Sequence, residues 1–220
     1  MTMNVDKLYI NNTDIQTTYG FWLNWRELSA PKPQLDYQTI PGKNGRLDLS
    51  EALGSVYYDD RTIQIDMTYA GDDWHSDYEG FVSAYHGKKV QIKFANDPDW
   101  YWYGRLVVGE YSAKSHKMTM SANVFPFRLS ISETVVTAEI TATTEGNAQT
   151  IALTNDRMSV TPKVTVEGST NGVHLKWGDL TATITNGNQY VTGLTLDEGT
   201  LNVLAWGDGT VTFTYRQGAL

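Results

Sequence analysis

From residue 130 onward the chain is a succession of short runs rich in β-branched residues, broken by glycine turns, with very little helical patterning. About eight runs can be read, at 135–142, 150–154, 163–167, 173–177, 181–185, 189–192, 201–205 and 210–215. Strands at roughly 8–12-residue spacing indicate a sandwich or jelly roll. Asn171-Gly172, Asn186-Gly187 and Asp208-Gly209 separate neighbouring runs, and such dipeptides fit the positive-φ turns of β-hairpins. The triplet Trp-Gly-Asp occurs at 177–179 and again at 206–208. No period of 20–50 residues accompanies it, so a repeat array is not indicated.

Ahead of residue 130 the chain reads differently. Five of the seven tryptophans lie there, and every proline but Pro162. Strands are expected at 7–10, 21–25, 61–69, 90–95, 102–108 and 117–124. In 61–69, Ile63, Ile65 and Met67 alternate with Thr62, Gln64 and Asp66, the period-2 pattern of a half-buried strand. One helix is expected. Asp72 and Asp73 supply N-caps, Trp74, Tyr78, Phe81, Val82 and Tyr85 share a face, and Gly87 closes it. Its apolar stripe should cover the mouth or one face of a sheet. Proline lacks the donor that a central strand needs, so Ala30-Pro31-Lys32-Pro33 should be an exposed connector. Pro41-Gly42 and Asn44-Gly45 are turn signals. A boundary falls within 129–134, giving domains at 1–130 and 131–220.

Little here points to chemistry. The chain has no cysteine, which removes disulfides, thiolate metal sites and cysteine nucleophiles. His75, His86, His116 and His174 are scattered, with no metal-ligand spacing. Phosphate loops, dinucleotide fingerprints and nucleophile elbows are absent. Asp48 with Glu51, Asp59 with Asp60, and Asp97 with Asp99 are carboxylate pairs in sequence only. No catalytic residue, cofactor or metal ligand is assigned, and the chain reads as non-enzymatic. Its formal charge of −8 is spread over both halves, unlike the clustered cations that grip nucleic acid by its phosphates. Residues 1–10 are not patterned as a signal peptide, and no apolar run approaches the roughly 18–20 residues of a membrane helix. A soluble protein assembled inside a cell is expected, with no membrane partner.

The densest unusual stretch is Asn96-Asp97-Pro98-Asp99-Trp100-Tyr101-Trp102-Tyr103-Gly104-Arg105. Asp-Pro-Asp makes a turn, and four aromatics then alternate along a strand. One reading is a sugar platform. The favoured reading packs Trp100 and Trp102 on one face and sets Tyr101 and Tyr103 on the other, against a neighbouring subunit.

The ordered set of motifs resembles the distal tail protein family of long-tailed bacteriophages and prophages. It comprises residues 41–54 (Pro41-Gly42-Lys43-Asn44-Gly45-Arg46-Leu47-Asp48-Leu49, then Ser50 to Gly54), Tyr57, Asp60-Arg61-Thr62-Ile63, the helix, His86-Gly87-Lys88-Lys89-Val90, and 97–105. The close, Tyr215-Arg216-Gln217-Gly218-Ala219-Leu220, also looks like that family's ending. The resemblance implies an all-β fold with one helix: a tail-tube-like β-sandwich or barrel at 1–130 and a galectin-like β-sandwich at 131–220. It further implies a structural protein of the virion tail tip, assembled in the host bacterial cytoplasm as a homo-hexameric ring. Such a ring joins the tail tube protein to a tail-associated lysin, fibre or receptor-binding protein of the baseplate, with DNA only in transit through its channel. Interface residues expected on this reading are Pro31, Pro33, Pro41, Asn44, Arg46, Trp100, Tyr101, Tyr103 and Arg105. The connector 29–40 would serve as an arm onto a neighbour. Rival readings are a carbohydrate-binding protein acting through Trp177 or Trp206 and, behind it, a glycosidase. A galectin-like fold does not by itself imply sugar binding.

Overall fold

The computed structural model describes residues 6–52 and 55–220. Residues 1–5 of the amino-terminal stretch, and Leu53-Gly54 at the end of the loop motif, lie outside the described residues. The chain forms two compact units, one running to Arg128 and including Leu220, the other Leu129–Ala219.

The first unit contains β1 (Leu8–Ile10), β2 (Thr13–Asp14), α1 (Ile15–Tyr19), β3 (Phe21–Leu28), β4 (Tyr37–Thr39), β5 (Arg46–Asp48), β6 (Arg61–Tyr69), α2 (Trp74–Tyr85), β7 (Lys89–Phe94), β8 (Trp100–Ser112) and β9 (Lys117–Val124). Seven of these strands form one antiparallel path, β2-β1-β7-β8-β9-β6-β3. Along that path β2 and β3 each have one neighbour, so the sheet stays open and the barrel alternative is not realised. Period-2 alternation decides its inner face. Ile63, Ile65, Met67 and Tyr69 of β6, Met118, Met120 and Ala122 of β9, and Val90, Ile92 and Phe94 of β7 are buried in one cluster. Each large side chain removed from water contributes about 1.5–3 kcal/mol.

Helix α2 begins where the Asp73 carboxylate accepts a hydrogen bond from Ser76 N, and it lays Phe81 and Tyr85 on this cluster. Phe81 meets Phe21 at 5.7 Å and Tyr19 at 5.5 Å. Tyr19 belongs to a second helix that the sequence pattern does not reveal, because five residues are too few to show a period. Asp14 caps α1 by accepting from Thr17 N, and Gly20 ends it at φ +69°. A side chain at Gly20 would meet Gly71 Cα at 3.0 Å, so both conformation and space require glycine there.

The second unit follows β10 (Arg128–Ser130). It comprises β11 (Thr134–Ile140), a short 3₁₀ turn (Glu145–Asn147), β12 (Gln149–Asn155), β13 (Lys163–Glu167), β14 (Val173–Trp177), β15 (Leu180–Ile184), β16 (Gly187–Tyr190), β17 (Gly199–Gly207), β18 (Gly209–Tyr215) and β19 (Gly218–Ala219). Two four-stranded antiparallel sheets, β11-β18-β13-β16 and β12-β17-β14-β15, enclose a core that includes Val164, Val166, Leu175, Val203, Val211 and Phe213. The Asn-Gly and Asp-Gly dipeptides do carry positive φ at Gly172, Gly187 and Gly209. They are not hairpin turns, however. Each passes the chain from one sheet to the other, whereas the one hairpin between consecutive strands of these two sheets, β14–β15, turns at Gly178-Asp179. Asp208 fixes one crossover, its carboxylate accepting from Thr170 N at 2.7 Å and from the Ser169 hydroxyl at 3.3 Å.

Candidate assembly interface

Beyond Leu28 the chain leaves the first unit's sheet and returns only at Arg61. Between them it pairs with itself. Asp59 N donates to Lys32 O (2.9 Å), Gln34 N to Tyr57 O (2.8 Å) and Leu49 N to Asp36 O (2.8 Å). Then β4 and β5 pair from Tyr37–Asp48 to Thr39–Arg46. The turn closes with Lys43 N donating to Ile40 O, and Gly42 and Gly45 both take positive φ. The product is a long two-stranded ribbon. Leu35, Tyr37, Ile40, Leu47 and Tyr57 all remain exposed along it, Tyr57 at 53%. A two-stranded ribbon with no core of its own is marginal alone, and this one presents apolar side chains to its surroundings.

The root of the ribbon is fixed. Arg61, 7% exposed, donates from Nε to Ser29 O (2.7 Å) and from Nη1 to Pro126 O (3.3 Å), and its guanidinium lies over the Trp102 ring at 4.8 Å. Burial and the neighbouring Arg128 hold its pKa below the ordinary arginine value. Ser29 adds a second tie: its hydroxyl accepts from Thr62 N at 3.0 Å and its own N donates to Thr62 O.

The expected interface residues fall into two groups. Pro31 and Pro33 are half-buried at the base of the ribbon, Pro33 bridged to Tyr58, while Pro41, Asn44 and Arg46 are exposed at its tip. Arg46 covers the Tyr37 ring at 4.8 Å. The other group lies on β8. Trp102 points into the core, Trp100 lies half-buried under the Arg128 guanidinium (4.9 Å), and Arg128 pairs with Asp97 at 2.9 Å. Tyr103 is exposed on the opposite face, Tyr101 is half-buried, and Arg105 is exposed with Nη1 donating to Gly87 O. Arg61 ties the root of the ribbon at Ser29 to Trp102 of β8.

A third surface was not singled out from the sequence. Along β3, Trp22, Trp25 and Leu28 are exposed beside the core residue Phe21. Apolar residues at both parities, Phe21-Trp22-Leu23 and then Trp25, were the available signal. A β-bulge between Leu23 and Trp25 produces it by shifting register against β6.

At least one member of each carboxylate pair is held by a neighbouring group. Asp48 accepts from Ser50 N and hydroxyl, Asp59 from Gln34, Asp60 from Asn123 and Asp97 from Arg128. The Ser50 hydroxyl and amide hold the Asp48 carboxyl below the usual carboxylate range. Among the described residues no group of three or more His, Asp or Glu is placed to hold a metal ion. Trp177 is buried and donates its indole N–H to Gly193 O (2.9 Å), so it offers no open ring face; Trp206 is half-exposed and stacks on His174 at 5.2 Å.

No protein-family model matches the chain, and no curated protein matches it. Among solved structures it is similar to the crystal structure of the SPP1 Dit protein (gp 19.1), described as a paradigm of the hub adsorption apparatus in phages infecting Gram-positive bacteria. The TM-score is 0.64 over 97% of this chain and 99% of that one, at 15% sequence identity. Correspondence over both units, with almost nothing left over on either side, means that this chain has the fold of a distal tail (Dit) protein.

Proposed function

We propose that this chain is a structural protein of a phage tail tip, which joins copies of itself into a six-membered ring between the tail tube and the adsorption apparatus. The observation that carries this reading is the end-to-end likeness, over 97% of this chain and 99% of that one, to a protein of a hub adsorption apparatus. Self-association is supported by the first unit's exposed apolar ribbon and open edge strand, since unpaired edges and large exposed apolar side chains are what assembly covers. In this reading the first unit is the tube-like ring builder and the second a galectin-like outer module. Tail tube above and a lysin, fibre or receptor-binding protein below are its neighbours, and DNA passes through without being gripped. A chain of net charge −8 with scattered cations suits passage better than retention.

The ribbon is the arm that reaches a neighbour. Deletion of Pro31–Gln34 shortens it without touching the sheet, and native mass spectrometry should then find the ring replaced by monomers. Intact hexamers from that variant would reject the arm's role. A second reading, saccharide binding by the second unit, is favoured only by the half-exposed Trp206 and its stacked His174. A glycan array on the purified protein separates the two: silence together with ring formation supports the tail-tip role.

A further inference from the structure

Asp66 is an anomaly on the outer face of β6. It is 6% exposed, yet no Lys, Arg or His among the described residues forms an ion pair with it. Its side-chain hydrogen bond comes from the neutral Asn24 amide, Nδ2 to Oδ2 at 2.8 Å, and the same amide nitrogen also donates to the Thr68 hydroxyl at 2.7 Å. Its one donor is neutral, so the carboxylate's charge is left without a cationic partner among the described residues. Its surroundings are built to receive one. Trp25 is its direct partner across β3–β6 and Trp22 pairs with Thr68 one step along, so both indoles stand on the same face as Asp66. They are 50% and 40% exposed. Indole faces beside a carboxylate make a socket for an ammonium or guanidinium group. The socket lies on β3, where the ladder is open to a new chain.

The ribbon tip supplies the matching chemistry. Between Pro41 and Leu47 the ionisable residues are Lys43 and Arg46, both exposed, in a protein that is acidic elsewhere. Within one chain the tip does not serve its own socket, since neither Lys43 nor Arg46 forms an ion pair with Asp66. Some twelve extended residues carry it up to roughly 40 Å from its root at Ser29, while Trp25 lies about four residues to the other side. We infer that the Asp66–Trp22–Trp25 socket receives the basic ribbon tip, Lys43 to Arg46, of a second copy of this chain. This deepens the ring reading and rests on it. Socket and plug are different surfaces, so the contact is head-to-tail and closes only as a ring.

The absence of cysteine gives a clean test on the full-length protein. Glu27→Cys beside the socket and Asn44→Cys within the tip, combined in one chain so that Trp25, Asp66, Lys43 and Arg46 are kept, should on mild oxidation yield a ladder of disulfide-linked multimers that dithiothreitol collapses. Each single variant should give no species beyond a dimer. Asp66→Asn keeps the shape and the Asn24 contact, so it should fold with an unchanged circular dichroism spectrum and weaken self-association by at least about tenfold. If the double-cysteine protein assembles and remains uncross-linked, or Asp66→Asn associates as tightly as wild type, the socket is wrong and the ring reading survives. If the wild type never assembles, the ring reading falls and takes the socket with it.

Discussion

Gly104 sits where β8 presses closest to β9. A Cβ there would land on the Asn123 carbonyl oxygen and 2.5 Å from Val124 Cα, so the backbone itself must move to admit it. Gly104→Ala is therefore expected to cost the first unit about 1–3 kcal/mol, read as a lower chemical-denaturation midpoint. Gly146→Ala, whose Cβ meets nothing within 4 Å, is the matched control and should change little. Asp208 makes a different prediction. The Thr170 amide, with Asn171 and the Ser169 hydroxyl, holds its carboxyl below the usual range. A depressed folded value means that this stabilisation is present above the ordinary aspartate value of about 4 and is lost as pH falls through the folded one. Thermal melts of wild type and Asp208→Asn should differ at pH 6 and converge as the pH falls through the depressed folded value. Equal separation at every pH would show that Asp208 acts by shape alone.

Among elements, those with one face in a core were legible and those without were not. β6, β9, β13 and β14 begin and end where the alternation of Ile63, Met120, Val164 or Leu175 with polar neighbours places them. α2 was readable from the spacing of Phe81 and Tyr85, whereas α1 is too short to show a stripe. β4 and β5 bury nothing, so no period marks them, although the prolines and glycines around them announced an exposed excursion. Asn171-Gly172 and its counterparts fixed a positive φ but not a destination. Local chemistry allows the turn, and packing of the two sheets decides whether the chain returns to its own sheet or crosses. The same limit hid the Asp66 socket, which exists only because the β3 bulge brings Asn24 and Trp25 beside it. The ribbon's rigidity also belongs to this scale. Arg61→Leu removes the donors to Ser29 and Pro126, each charged hydrogen bond contributing about 1.5–3 kcal/mol. Limited proteolysis should then cut faster near Lys43 and Arg46 while the sheet stays protected; unchanged cutting would mean that Ser29 and Thr62 suffice to hold the root.

At the scale of the whole molecule, two β units in a fixed order matter more than any side chain. Among the described residues no cluster of three or more His, Asp or Glu is placed to hold a metal ion, and the exposed large apolar side chains lie on the ribbon, on β3, at Trp74, Tyr103, Val107 and Phe125, and at separate points of the second unit. On the function proposed above, such a chain does its work by holding neighbours in register in a ring at the end of a tail. Native mass spectrometry of the purified full-length protein, with two-dimensional averages of the same sample by electron microscopy, tests this most directly. The account predicts a closed six-fold ring with an open channel and a mass near 148 kDa, six times the 24.6 kDa chain. A single species of 24.6 kDa that persists at the highest attainable concentration would contradict it.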